Sequence, residues 1–477
     1  MKNSLKTYLL SFVFLLSAFS CDDVLDVNTD PLAATSADPN VVLPYVIVQY
    51  SNRKQTELGT RTSDVPQYMS SNFNSPKTGS TTSFLTGNTW RMMYVDVLGN
   101  LALVEADAKE AGATSNNVAA IAIVLKALIY YELTSIWEDV PFTQAINGQE
   151  FPSPTFDSQE TVLNGVAALL DEANTLIAEI PAEGVFDVSG GDLIYQGDMT
   201  KWEKLSNSLK LRVLMMIRNK DTSVDSQITA LLSKPLIENS GDIAMLTYSG
   251  QAGAENAFQT IVSAFFGSDN ESTGVHAPGP VFYDLIVNNN DPREQLFIYD
   301  PGNVGPPSIG QFSFGSFAHF SNNVIRGSLP DIFFTAAEVN FYKAELALKG
   351  VGTSNTQTEY ENGVRNILTF WGQDIPGAIT TLTGGEIDAY VASLPDLSLL
   401  TNADALTRVH EQQYLEAFLN PILGWNTVRR TGVPTMDPVP GTAISTYLKR
   451  FTYPPNEIAA NPNTPANLPT DRPMWFE

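Results

Sequence analysis

The chain carries one cysteine in 477 residues, three histidines, and about half as many basic as acidic side chains, 27 Lys and Arg against 52 Asp and Glu. Each scarcity removes a class of function. A single thiol, Cys21, cannot make an internal disulfide, so stability has to come from ordinary packing. His276, His319 and His410 stand far apart, and none lies at metal-ligand spacing from another. The formal net charge is −25, and −27 once Lys2 and Lys6 are removed with a leader, which repels phosphate backbones and argues against nucleic acid as a partner. Beyond the N-terminus no second apolar stretch of membrane-spanning length is expected. Catalytic signatures are missing too: there is no Walker phosphate loop, G-x-S-x-G elbow, H-E-x-x-H or dinucleotide glycine fingerprint. Carboxylates are so numerous that no pair singles itself out as a glycosidase dyad. The expectation is a protein that is not an enzyme, with no cofactor and no metal site assigned, the alternatives being a lipid-anchored surface glycoside hydrolase or a structural cell-surface scaffold.

What is present begins at the N-terminus. Lys2 and Lys6 precede the apolar run Tyr8–Phe19, and Ala18 and Ser20 supply small residues before Cys21. That order reads as a signal peptide over 1–20, too short to span a bilayer, with Cys21 as the acceptor of a lipid anchor. Residues 21–40 are acidic and rich in turn formers, which predicts a lipidated tether, and the body follows over 41–477.

The body has helical periodicity. Val118, Ala122, Leu125, Ile129, Leu133 and Ile136 recur at three- and four-residue steps, predicting a helix over 115–137. The same spacing predicts helices over 157–179, capped by Asp157 and Glu160, over 199–219, and over 331–349, starting at Asp331 with Phe334 on its buried face and Glu345 pairing with Lys349. Further helices are expected at 89–111, 277–288, 358–371, 383–394 and 402–419. Consecutive helices with short connections suggest stacked hairpins of tetratricopeptide type, although no clean 34-residue repeat is visible. Between them, 59–88, 250–276, 296–329 and 432–477 lack helical periodicity, and loops of that length are commonly functional. The last is proline-rich and aromatic, so it is expected to wrap over the body.

Aromatic residues punctuate these irregular segments amid Ser, Thr, Asn and Gly. Such rings suit sugars, which stack an apolar face while their hydroxyls bond to polar side chains, and they equally suit peptides. The candidate ligand-binding residues are Tyr68, Phe73, Trp90, Arg91, Phe265, Phe266, Phe314, Phe317, His319 and Asn322. Rings would stack; Arg91, His319 and Asn322 would hydrogen-bond.

Several stretches, in order, resemble one family: LKALIYYELTSIWEDVPFTQAINGQ from 125, PSPTFDSQETVLNGVAALLDEANTLI, LIYQGDMTKWEKLSNSLKLRVLMMI, NNNDPRE from 288, SLPDIFFTAAEVNFYKAELALKG, VHEQQYLEAF, GWNTVRRTGVP and RFTYPPNEIAAN. Together they are similar to the SusD/RagB family of nutrient-binding outer-membrane lipoproteins of Bacteroidetes, in its SusD-like branch, across nearly the whole body. One departure is Trp137-Glu138-Asp139, where the family often has Tyr-Gly-Asp. The resemblance implies an all-α fold of tetratricopeptide-like hairpins with a loop-rich, irregular ligand-facing half. It also implies an oligosaccharide or peptide ligand and a SusC-like TonB-dependent transporter over which the protein sits as a lid. Asp22 and Asp23 resemble the acidic signal that sends such lipoproteins to the outer leaflet, exposed at the surface. Trp202, Arg429, Arg430 and the Asp291-Pro292-Arg293 turn read as locks of the scaffold rather than ligand contacts.

Overall fold

The computed structural model describes residues 38–59, 61–71, 81–266, 276–300, 302–308, 317–436, 444 and 446–477; the expected leader, Cys21 and most of the tether lie outside them. In chain order the helices are α1 (Pro39–Arg53), α2 (Ser83–Arg91), α3 (Gly99–Ala111), α4 (Asn116–Trp137), α5 (Gln159–Ala178), α6 (Met199–Arg218), α7 (Asp225–Leu231), α8 (Ala257–Phe266), α9 (Pro280–Val287), α10 (Arg293–Phe297), α11 (Ala336–Leu348), α12 (Thr356–Thr369), α13 (Gly384–Ser393), α14 (Asn402–Glu416), α15 (Pro421–Thr431) and α16 (Pro455–Ala460). Strand is confined, among the described residues, to three antiparallel ribbons: β1 (Met69–Ser71) with β3 (His276–Pro278), β2 (Ala244–Leu246) with β6 (Asp331–Phe334), and β4 (Ile298–Tyr299) with β5 (His319–Phe320). The fold is all-α, with helical hairpins of tetratricopeptide type and a loop-rich remainder.

Every helix expected from periodicity forms, and four details differ. α1 begins at Pro39, inside the expected tether, because the Asp38 side chain accepts from Asn40 N at 2.9 Å and Pro39 supplies a first turn that needs no donor. Asp331–Phe334 is strand β6, not the opening of a helix; Thr335 then caps α11, its hydroxyl accepting from Glu338 N at 3.1 Å. Ile332, Phe333 and Phe334 favour the extended backbone, and all three are buried there. Ser158, not Asp157, caps α5, since the Asp157 carboxylate is taken up by Phe142 N at 3.0 Å and Thr143 N at 2.8 Å. Finally, residues 113–137 are long and apolar enough to cross a membrane, against the expectation from sequence, but α4 is the buried centre of the stack. It packs between α3, α5 and α6, which covers nearly every side chain along it.

Buried polar bonds tie the hairpins together. Arg212 on α6 meets the Glu338 carboxylate of α11 through two bonds of 2.7 Å, and Arg430 on α15 meets Glu345 of α11 through bonds of 2.7 and 2.8 Å. Arg293 is clamped on Asp291 at 2.9 and 2.5 Å, Trp202 Nε1 donates to Asp192 at 2.7 Å, and the Arg429 guanidinium lies 4.0 Å above the Trp425 ring. The residues read as scaffold locks therefore sit in the frame. The C-terminal stretch wraps over the end of α4, with Phe451 N donating to Ile136 O at 2.9 Å and Trp137 Nε1 to Thr452 O at 3.0 Å.

The departure at Glu138 has a physical cost. It ends α4 at φ 73° and ψ −92°, a conformation in which glycine is at ease and other residues are strained. Its carboxylate compensates by pairing with Arg450 at 2.6 Å and accepting from Trp475 N at 2.6 Å. Glu138→Ala keeps the strain and loses both contacts, so it should be less stable than Glu138→Gly by about 1 kcal/mol. Identical urea midpoints for the two variants would reject this balance.

Candidate functional site

Three segments distant in sequence enclose an open cleft of about 630 Å3. The first wall is α2, whose entry is fixed by Thr82 accepting from Leu85 N at 3.2 Å; it carries Asn88, Trp90 and Arg91. After Arg91 the backbone widens to π-helical geometry over Met92–Leu98, turning Tyr94 and Val95 to line the same space. Such an insertion is typical of functional sites. The second wall is the 141–154 loop, held by Asp157 as above and by Thr155 N donating to Gln144 Oε1 at 2.9 Å. The third is Pro454 and α16, joined to the loop where Asn461 Nδ2 donates to Pro154 O at 3.0 Å.

Trp90 forms the floor. It is 9% exposed and is backed by a cage of rings, with centroids of Tyr94 at 4.7 Å, Trp137 at 5.1 Å, Phe156 at 6.1 Å and Tyr453 at 6.3 Å. Tyr94 donates to Pro141 O at 2.7 Å, which pins one wall to another. Burial, reinforced by the neighbouring Tyr130 and Glu457, holds its phenol well above the usual range, so it stays a neutral donor. Four prolines, Pro141, Pro152, Pro154 and Pro454, stiffen the lining, and the apolar side chains of Val95 and Ile146 stand exposed on it. At the mouth, Arg91 is exposed and makes no hydrogen bond or ion pair among the described residues, while Asn456 is exposed and Glu457 half-buried. The lining thus offers the small exposed part of the Trp90 side chain, rigid apolar walls, and a few donors and acceptors. Among the described residues Glu457 is the one carboxylate that lines the cleft, whose rings, prolines and polar groups have the means to hold a ligand.

Of the residues singled out from sequence, Trp90 and Arg91 come together here. Tyr68 does not: it is a core residue, stacked on Tyr414 at 4.4 Å and donating to Tyr414 O at 2.5 Å, with Gly424 pressed so close that an added Cβ would fall 2.2 Å from its ring. It is 1% exposed and has no face to give a ligand. Phe73 and Phe314 lie outside the described residues, and Phe265 and Phe266 end α8 with side chains outside them too. Phe317, His319 and Asn322 gather around the β4–β5 ribbon, where His319 pairs across the strands with Tyr299. Burial lowers the His319 pKa although Asp300 pulls it up, so the imidazole is neutral at neutral pH. Sequence reading missed Tyr94, Ile146, Pro454 and Glu457; Tyr94 falls four residues after Trp90 and reads as one more buried helical position.

A helical-repeat frame here presents a loop-built cleft lined by rings, prolines and a few polar side chains. The SusD-like family model, described as "starch-binding associating with outer membrane", matches residues 31–454, and the chain belongs to that family. Solved structures share the fold. A chitin-binding protein superposes with a TM-score of 0.76 at 22% identity, over 89% of this chain and 94% of its own. A chitin-binding SusD homologue from Flavobacterium johnsoniae gives 0.74 at 18% identity, over 92% and 97%. A SusD homologue from Bacteroides uniformis gives 0.74 at 20% identity, over 92% and 98%. No curated protein sequence matches the chain.

Proposed function

We propose that this protein captures an oligosaccharide in the Trp90 cleft at the cell surface and passes it to a SusC-like TonB-dependent transporter, on which it sits as a lid. The cleft carries this reading: a caged indole, apolar proline walls and the unpaired donors of Arg91 suit a sugar ring with one apolar face and a hydroxyl rim. The family's description as starch-binding and outer-membrane-associated supports it. So does the order of signal, Cys21, Asp22 and Asp23, which reads as export followed by acylation to the outer leaflet. A lipid on Cys21 would hold the protein at the membrane, so that a hinged lid could open without being lost. Release into a barrel requires moderate affinity, and no bond has to break.

The test is calorimetric titration of the full lipoprotein in detergent with neutral oligosaccharides and with peptides. Glycans should bind saturably without products, and Trp90→Ala and Arg91→Ala should each weaken binding by about tenfold. Native purification should bring down a large β-barrel. Saturable peptide binding with no glycan response would reassign the ligand, and turnover that ends with one acidic substitution would make the protein a hydrolase.

A further inference from the structure

A second hollow lies on the β4–β5 side of the molecule, about 450 Å3 in volume and sharing no lining residue with the Trp90 cleft. Its platform is Tyr299, a residue 38% exposed at the end of β4 that pairs with His319 across the ribbon. An exposed ring on a two-residue strand does nothing for the core, which lies on the other side through the buried Ile298 and Phe320. Around it stand Asn290, Glu294 and Asp300. Asp300 is fixed in place: Tyr283 donates to it at 2.9 Å, as do Val304 N and Gly305 N, each at 2.9 Å. Burial works against its charge, but those bonds outweigh burial and keep the carboxylate below its usual range. Three of its acceptor positions are filled and one remains, while Asn290 and Glu294 make no side-chain bond among the described residues. Among the described residues no lysine or arginine lines the hollow, and the carboxylates there would repel an acidic sugar.

We infer that this hollow is a second glycan site, in which a neutral hexose unit stacks on Tyr299 while Asn290, Glu294 and Asp300 accept its hydroxyl protons. The inference depends on the protein being a glycan binder, as proposed above, and adds a second point of attachment. Two weak sites on one chain hold a polymer far more tightly than either alone, because the second contact becomes intramolecular. A short oligosaccharide gains nothing from this.

The experiment compares the full lipoprotein with Tyr299→Ala, Trp90→Ala and the double variant. Retention is measured in native gels cast with soluble starch or glycol chitin, alongside calorimetry with maltotriose and chitotriose. Tyr299→Ala should bind the polymer at least about tenfold more weakly while its trisaccharide affinity is unchanged, and it should unfold at the same temperature because the ring is exposed. Polymer retention that is the same in Tyr299→Ala as in wild type, while Trp90→Ala loses both ligands, would overturn the second site and leave the proposed function standing. Trisaccharide binding lost in Tyr299→Ala but kept in Trp90→Ala would make Tyr299 the single site, which also overturns the inference. A wild-type protein that retains neither polymer nor trisaccharide overturns both readings.

Discussion

Replacing Glu345 by alanine should lower the unfolding free energy by about 3–5 kcal/mol, the largest loss expected from any single polar substitution in the frame. Glu345 is fully buried on α11, where Arg430 grips both of its oxygens, Lys349 donates at 2.6 Å, Gln413 donates at 2.9 Å and His410 stands 3.5 Å away. Burial alone would raise its pKa. The Arg430 charge and its two bonds overcome that and hold it well below the usual carboxylate range. Removing the carboxylate leaves the Arg430 guanidinium buried with, among the described residues, the Gln413 bond at 2.8 Å and the Tyr342 ring at 5.7 Å, and the cost of that orphaned cation dominates the loss. Glu345→Gln keeps the volume but offers Arg430 an amide in place of a charge, so it should fall between wild type and alanine. Because the folded pKa is depressed, this stabilisation is complete above the unfolded value near 4.5 and disappears as pH falls through the lower folded value. Urea unfolding at pH 7 and pH 3.5 checks both parts. A wild-type to alanine gap as wide at pH 3.5 as at pH 7 would remove the ionic explanation.

The frame was far more legible in the sequence than the site, for a physical reason. Helix–helix packing writes itself locally: the stripe of Val118, Ala122, Leu125 and Ile129 announces α4 because the core lies on one side of a 3.6-residue turn. Glu345 and Lys349 were readable as a one-turn pair, and they meet at 2.6 Å. The irregular half obeys no such period. Tyr68 and Trp90 look alike in sequence, each a ring among small polar residues, yet one is sealed under Gly424 and the other floors a cleft. What separates them is contact with α15, with the 141–154 loop and with α16, all distant along the chain. Short strands were invisible for the opposite reason. Two or four residues of β4, β5 and β6 carry too little alternation to distinguish them from a helix start, and Phe334 was assigned to the wrong element on that account.

Above about pH 5 the balance reverses, and Glu416→Gln is expected to stabilise the protein rather than weaken it. Glu416 at the end of α14 is buried, and burial, with Glu338 nearby, pushes its pKa up to about 8; Glu132 in α4 is pushed up to about 7 by burial in the same way. Neither finds a full counter-ion. Glu416 accepts from Thr335 Oγ1 at 2.7 Å and Glu132 from Tyr50 Oη at 2.5 Å, while the cations that act on them are committed elsewhere, Arg212 to Glu338, Arg293 to Asp291 and Lys54 to Asp331. A carboxyl whose folded pKa is raised binds more protons in the folded state than in the unfolded one between about pH 4.5 and 8. The slope of stability against pH is negative there, so the charge costs nothing below pH 4.5 and its full penalty is reached above pH 8. Glutamine fits the same volume and can donate to Thr335 Oγ1 without titrating. The variant should therefore come within about 1 kcal/mol of wild type near pH 5 and exceed it at pH 8.5 by on the order of 4 kcal/mol, seen as a melting temperature several degrees higher. With Glu345 failing at the acid end and Glu416 and Glu132 at the alkaline end, the wild-type melting temperature should peak between about pH 5 and 6. A Glu416→Gln melting curve parallel to wild type from pH 5 to 8.5 would show that the buried carboxyl is not the group that sets the alkaline limit.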